Sequence, residues 1–216
     1  MADFNEIDSI FADYVPGLTE EEDYVKASVL VPLVSIDGQE HVLFTVRSEA
    51  LRHQPGEISF PGGHAEESDA THYETARREC SEELGITEDE ITYLGDLDYL
   101  ISPVGVRLHA FVGRLETTDF KPSSNEVGEI FTVPLDYLVS ADPIVATMQV
   151  ATRPKDNFPF ELVPNYVDDW KLRKTYSVFF YSYKGYNIWG LTALILKNFI
   201  DVYKAGLENR KILSQK

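Results

Sequence analysis

The sequence predicts an α/β fold within one domain. Three observations carry this reading: β-branched and aliphatic runs bounded by turn residues, a central segment whose apolar and acidic residues recur at helical spacing, and a second helical pattern near the C-terminus. The chain contains no repeat, low-complexity tract or evident linker, and 216 residues suffice for one domain with a sizeable core. The expected boundaries are an N-terminal extension over 1–24 packed on the domain, the domain itself over 25–207 and a C-terminal tail over 208–216.

Asp3 to Phe11 has the pattern of a short amphipathic helix, with Phe4, Ile7, Ile10 and Phe11 on one side. The run from Ala27 to Val34 reads as a strand, with Pro32 placing it at an edge or a bulge because proline cannot donate to a ladder. Asp37-Gly38 is a turn signal, and His41 to Arg47 reads as the returning strand of a hairpin. Around residue 80 the period changes to that of a helix: Tyr73, Ala76, Cys80 and Leu84 form an apolar stripe, and Gly85 follows where a helix C-terminus uses glycine. Beyond it, Ile91 to Ile101 and Val106 to Leu115 are strand-like and joined by the turn residues Ser102-Pro103-Val104-Gly105, with Phe111 and Val112 facing the core. Met148 to Leu162 and Thr175 to Ile188 read as strands with a hairpin at Lys184-Gly185. Their aromatics, Phe179, Phe180, Tyr181, Tyr183 and Tyr186, suit a core better than a base-stacking platform. Trp189 to Tyr203 is a final helix, with Leu191, Leu194, Ile195, Asn198 and Phe199 near one stripe.

Apolar residues make up 44% and charged residues 25%, ordinary values for a soluble globular protein, but the formal charge is -17. Such an acidic surface disfavours nucleic acid and anionic membrane as partners. It also repels an anionic small substrate at long range, so local arginines and bound cations must supply the attraction. The single cysteine, Cys80, excludes an intrachain disulfide, suits a reducing compartment and falls on the apolar stripe of its helix. Met1 to Glu22 is acidic and lacks the basic region and apolar core of a secretory signal. The apolar stretch from Ile188 to Ile200 is too short to span a bilayer. An intracellular protein with no recognisable targeting signal is expected.

The chemistry concentrates between Leu43 and Ile86. At about 100° per residue, Glu79, Glu82 and Glu83 share roughly one helical face. Like charges so close repel, and a hard divalent cation, Mg²⁺ or Mn²⁺, would relieve that repulsion while contacting substrate phosphates. A charge-rich helix is also the usual way to make a solvated surface. The glycine context favours the metal reading: Phe60-Pro61-Gly62-Gly63 precedes the helix, and paired glycines allow a backbone approach that side chains would block.

This segment resembles the signature box of the Nudix hydrolases, a glycine joined to Arg-Glu-x-x-Glu-Glu-x-Gly with an aliphatic end. Gly63, Arg78, Glu79, Glu82, Glu83, Gly85 and Ile86 match it. Fourteen residues separate Gly63 from Arg78 where thirteen are usual, and Asp69 stands where glutamate is commoner. One branch shares the extra residue. Leu43-Phe44-Thr45-Val46-Arg47-Ser48, Arg52, Gly56 and Phe60-Pro61-Gly62-Gly63 are similar to the motif of that branch, the coenzyme A diphosphatases, apart from Phe44 where leucine is usual. Ser123 to Leu135 resembles the Asn-Glu-Val segment that leads into a Val-Pro-Leu strand end in the same family.

The resemblance implies an α/β/α sandwich around a mixed sheet. It implies metal-dependent hydrolysis of the diphosphate of coenzyme A, and of its acyl derivatives, to 3′,5′-ADP and 4′-phosphopantetheine by water attack on phosphorus. Glu79, Glu82 and Glu83 would hold Mg²⁺ or Mn²⁺, with the Gly62 carbonyl as an added ligand and Arg78 orienting one glutamate. Arg47, Arg52, Gly56, Phe60, Gly62 and Gly63 would contact substrate. For the two arginines, bidentate phosphate binding stands against surface salt bridging. Glu79 or Glu126 would accept the proton, although Glu126 is also placed to cap a local helix. Two alternatives remain: hydrolysis of another nucleoside diphosphate derivative such as ADP-ribose, NADH or an oxidised nucleotide, and a nucleotide-binding module without turnover. Relatives in eukaryotes are often peroxisomal, whereas the C-terminal Ser214-Gln215-Lys216 is not a Ser-Lys-Leu address, so both cytoplasm and peroxisome stay open.

Overall fold

The computed structural model describes residues 24–163 and 165–213, together with Ala12 and Tyr14. The helix expected over Asp3–Phe11, most of the extension over 1–24 and the terminal Ser214-Gln215-Lys216 lie outside the described residues.

Strand β1 (Val25–Ile36) turns through Asp37-Gly38 into antiparallel β2 (Gln39–Arg47). Both turn residues have positive φ, 51° and 79°, as the twist of a tight two-residue hairpin requires. The two strands pair only next to this turn, from Leu33 and Val42 inward, and then splay. Residues 58–64 fill the fork: β3 (Ile58–Ser59) bonds to β2, and β4 (Gly62–His64) bonds to β1 at Ala27–Val29. On its other side β1 runs parallel to β7 (Val106–Leu115), which carries β5 (Ile91–Asp96) and β6 (Leu100–Ile101) antiparallel beyond it. Strand β8 (Val127–Pro134) completes the sheet against the far side of β2. One parallel pair among antiparallel neighbours makes the sheet mixed.

Alternation along β1 sorts the core into two layers. Leu30 and Val34 point to one face and pack with Leu43, Phe111, Leu115 and the Ala76-Cys80-Leu84 stripe of α1 (His72–Leu84). Val31 and Leu33 point to the other. There α2 (Leu135–Ser140) contributes Leu135 and Leu138, and α3 (Gly190–Leu213) contributes Ala193, Ile195, Leu196, Phe199 and Ile200. The α/β/α sandwich is therefore set by strand parity and by α1 on one face and α2 and α3 on the other. Phe44 is completely buried and stacks between Phe60, at 4.9 Å, and Phe131, at 5.3 Å, so an aromatic column takes up the departure from leucine.

Several expectations are corrected. Pro32 sits neither at an edge nor at a bulge but in the central strand, paired in register with Gly113. The Leu30 N–H bonds to the Pro61 carbonyl, and by alternation the missing Pro32 donor points to the same side, into the fork where β1 changes partner from β4 to β2. The strand expected over Ile91–Ile101 breaks after Asp96. The one expected over Met148–Leu162 is β9 (Ile144–Thr152), which stops well short of Leu162, and its partner β10 (Lys171–Tyr183) begins before Thr175. With β11 (Tyr186–Ile188), joined at Lys184-Gly185 with positive φ at both residues, these strands form a separate three-stranded sheet. Helix α3 continues past Tyr203 to Leu213, into the segment expected as a tail. Leu194 leaves the apolar stripe and is 38% exposed, and Asn198 donates to the Asp98 carboxylate rather than joining the core.

Candidate active site

Helix α1 is fixed at both ends. At its start the Thr71 hydroxyl accepts from the Glu74 N–H, and the Glu74 carboxylate accepts from the Thr71 N–H, a reciprocal cap. At its end Gly85 adopts φ 64°, and a Cβ there would lie 1.9 Å from the Lys121 carbonyl oxygen. The segment that passes so close satisfies two free helix carbonyls: the Lys121 N–H bonds to Leu84, and the Ser123 N–H to Glu83. Glu126 follows three residues later, so the helix end itself brings this carboxylate into the neighbourhood.

The carboxylates have distinct surroundings. Glu83 is only 9% exposed; burial pushes its carboxyl up to about 8, and the charges of Glu79 and Glu126 add to the rise, opposed by the Gly62 N–H and by Arg47. Glu79 is also raised, first by burial, while its bond to Arg78 at 3.1 Å works the other way. Gly63 lies directly over it: a Cβ there would meet the Glu79 carboxylate at 2.5–2.6 Å. Glu82 is more exposed and bonds to Arg78 at 3.2 Å. Arg78 thus orients two glutamates rather than one. Its main partner is Asp69, held through two bonds of 3.1 and 3.0 Å, and a further bond reaches the His64 carbonyl. The Arg78 guanidinium and the Glu66 N–H hold the Asp69 carboxyl well below the usual carboxylate range. The longer loop between Gly63 and Arg78 is therefore used to tuck Asp69 under the arginine, a positioning role that sequence reasoning did not assign. The departure from glutamate at that position was the available signal.

A cavity of about 820 Å³ opens over this arrangement. Glu79, Glu83, Glu126, Arg47, Phe60, Gly62 and Gly63 line it, so expected catalytic and substrate-binding residues from distant parts of the chain meet there. Glu82, Arg78, Arg52 and Gly56 are not on its wall. Glu82 is exposed and bonded to the half-buried Arg78, and Arg52 is exposed on the preceding loop. Gly56, with φ 71°, closes that loop, its N–H bonding to the Arg47 carbonyl, and lines a smaller neighbouring cavity. Phe60 is 3% exposed and serves the core as much as the cavity. Arg47 lines the cavity and donates to the His53 carbonyl, and no salt bridge of its side chain occurs among the described residues. Ser48 ties the same loop to the far wall: its hydroxyl donates to the Ser124 carbonyl and its N–H to that of Glu126. Glu126 precedes a strand, not a helix, which removes the capping role for its side chain.

Among the described residues, no three His, Cys, Asp or Glu side chains are already gathered as a metal cage. The donor chemistry nevertheless suits a hard cation, because oxygen ligands from opposite walls face one space and raise one another's affinity for positive charge. Gly63, kept clear of any side chain, leaves the Glu79 carboxylate room at that point.

The family model for the NUDIX domain matches residues 26–153, and the chain belongs to the Nudix hydrolase family. Enzymes of this family generally use divalent metal ions. Among relatives, the peroxisomal coenzyme A diphosphatase NUDT7 of Mus musculus is 39% identical over 122 residues, 53% of this chain and 49% of that protein, so the chain spans about half of its length. The mitochondrial coenzyme A diphosphatase NUDT8 of Homo sapiens is 32% identical over 83% of this chain and 70% of that one. Nudix hydrolase 3 of Caenorhabditis elegans is 30% identical over 93% and 85%. Among solved structures, a MutT/nudix family protein from Enterococcus faecalis aligns over 94% of this chain and 70% of its own at 14% identity, with a TM-score of 0.48. No membrane-spanning helix occurs among the described residues: none is long and apolar enough.

Proposed function

We propose that this Nudix hydrolase cleaves the diphosphate of coenzyme A, releasing 3′,5′-ADP and 4′-phosphopantetheine. The observation that supports this most is the meeting of two separated motifs on one cavity: the α1 carboxylates Glu79 and Glu83 face the Arg47 loop, the part of the chain similar to the coenzyme A diphosphatase branch. Relatives named coenzyme A diphosphatases agree with it.

In this reading Glu79, Glu82 and Glu83, with the Gly62 carbonyl, would hold Mg²⁺ or Mn²⁺. When bound, such a cation neutralises diphosphate charge and makes water a better nucleophile. The chain supplies the rest. Arg47 binds a phosphate in an otherwise acidic cavity, and Arg52 reaches a more remote phosphate from the exposed loop. Arg78, anchored by Asp69, keeps Glu79 and Glu82 in fixed rotamers, which conserves alignment during the reaction. Glu126 is the better proton acceptor of the two candidates, because Glu79 is engaged by Arg78 while Glu126 stands exposed on the opposite wall.

A panel of coenzyme A, ADP-ribose, NADH and an oxidised nucleoside triphosphate tests the substrate. The expected result is a kcat/KM for coenzyme A at least tenfold above the others. Equal or faster cleavage of ADP-ribose would remove the task given to the Arg47 loop.

A further inference from the structure

The edges of the two sheets are not protected alike. An unpaired strand edge is a template for another chain, and proteins ordinarily blunt it with shortness, charge, proline or a bulge. In the main sheet, β5 shifts register between Tyr93 and Gly95 and ends on Asp96, and β6 is two residues long. At the other edge, β8 shifts register opposite Val46 and Arg47, carries Glu129 and ends on Pro134. In the smaller sheet, β11 has three residues. Strand β9 has none of these devices. Its nine residues, Ile144–Thr152, include no charge, proline or glycine, and the register shift against β10 is taken up by Arg173 on the β10 side. Among the described residues it pairs with β10 alone. Antiparallel pairing turns the N–H and C=O of every second residue outward, so a row of backbone groups faces water along about 30 Å of edge. Ile144 is 69% exposed, Val145 57% and Met148 50%, which leaves apolar side chains on both faces of that edge.

The ribbon of β9 and β10 is fixed at one end. Just beyond the Ile144–Phe180 pair, Tyr137 of α2 donates to the Ser182 carbonyl at 2.6 Å, and Tyr181 is buried in the core. This root carries the exposed Asp136 and Asp142. The outer end differs in charge: β9 and β10 contain no acidic residue, and Lys171, Arg173 and Lys174 lie near the tip. Across residues 153–174 five basic side chains accompany four acidic ones, in a chain whose formal charge is -17. The tip is therefore suited to an acidic surface, such as the root of a second copy.

We propose that β9 joins two copies of this chain, edge to edge and antiparallel, about a two-fold axis through Met148. The two three-stranded sheets then become one continuous sheet. In this register Ile144 faces the partner's Thr152 and Ala146 the partner's Val150, so no charge is buried and none meets its like along the edge. Asp142 at each root falls beside the partner's Arg153, whereas a parallel pairing would set root against root. A second copy satisfies both ends at once, because it carries the same root and the same tip in reverse order. The proposal is independent of the substrate assigned above.

The test is sedimentation equilibrium of the full chain between about 1 and about 200 µM. One strand from each copy is a narrow contact beside the roughly 1,600 Å² of a standard interface, so a dissociation constant on the order of 10 µM is expected. Met148→Lys sets two ammonium groups against each other at the axis and should weaken the dimer about tenfold or more, whereas Met148→Leu should keep it. Met148 is half exposed, and an unchanged thermal unfolding midpoint checks that the lysine variant is folded. A second measurement needs no disruptive variant. In Met148→Cys the two thiols face each other across strands about 5 Å apart, within disulfide reach, and should oxidise to a covalent dimer. Ile144→Cys, about 26 Å from its mate at about 3.3 Å per residue, should not. Cys80 is fully buried and gives no background. A monomer at every concentration overturns the proposal. So does a dimer that Met148→Lys leaves intact, which would lie on another surface, or a cross-link at Ile144 and not at Met148, which would mean a different pairing.

Discussion

Burial and the neighbouring Glu79 and Glu126 push the Glu83 carboxyl up to about 8, well above the ordinary value of 4.5. A carboxyl raised on folding contributes its stability in full below the unfolded value and loses it as pH rises through the folded one. In chelator, the protein should therefore lose stability between pH 6.5 and 8, by an amount on the order of a few kcal/mol at most. That window avoids His109, which burial and the nearby His72 and Arg107 push down to about 4 and which acts in the opposite sense below 6.5. Glu83→Gln should flatten the slope, measured by chemical denaturation, while lowering kcat by about 100-fold or more because the neutral amide is a poorer partner for a cation. A slope that persists in the variant would place the destabilising group elsewhere. Spacing put Glu79, Glu82 and Glu83 on one helical face, and only the glycine context and the family resemblance pointed from there to a metal, but their inequality was not legible. Whether a carboxylate is buried, exposed or tied to an arginine depends on Gly63, Asp69 and Glu126, which reach it through loops whose course no local pattern specifies.

At the scale of elements, α1 works because its ends are pinned. Gly85→Ala would force a side chain into the left-handed region and into the Lys121 carbonyl, so a loss of about 2–3 kcal/mol is expected. Gly63→Ala is the instructive contrast. Its Cβ meets only the end of a flexible carboxylate, so thermal unfolding should move little while turnover falls about tenfold or more through a displaced Glu79. Unchanged turnover would mean that the close approach over Glu79 serves packing alone. The two turns with positive φ, at Asp37-Gly38 and Lys184-Gly185, and the glycine stop of α1 were readable because their chemistry is local. Pro32 was misread for the converse reason. Only the fork between β1 and β2, a relation among segments as far apart in the chain as Ala27 and His64, shows where a missing donor costs nothing. The end of β9 at Thr152 and the early start of β10 at Lys171 were likewise hidden, since the aromatics Phe158, Phe160 and Tyr166 pack among themselves in the connecting loop and imitate a strand composition.

For the whole molecule, the formal charge of -17 sets the long-range field that any phosphorylated substrate must cross. Raising ionic strength from about 0.01 to about 0.15 M shortens the Debye length from about 30 to about 8 Å. At constant divalent cation, kcat/KM for coenzyme A should rise about two- to fivefold over that range; a fall would mean that the arginines of the cavity loop dominate the approach and not the acidic surface. The individual strands and helices were legible, because strand parity and helix periodicity each dictate one buried face, whereas the α/β/α layering was expected only through the family resemblance. The cavity was not legible, since it exists only where splayed strands, the α1 carboxylates and the start of α3 adjoin. The central claim is that the α1 carboxylates, brought to that cavity, direct water onto a diphosphate. Mass analysis of products from coenzyme A in ¹⁸O-labelled water, with and without Mg²⁺ or Mn²⁺, tests it most directly when wild type is compared with Glu82→Gln and Glu83→Gln. The account predicts 3′,5′-ADP and 4′-phosphopantetheine, one of them carrying a single labelled oxygen, formed only with the cation and nearly abolished in both variants. Intact coenzyme A under every cation, or wild-type turnover in Glu83→Gln, would contradict it.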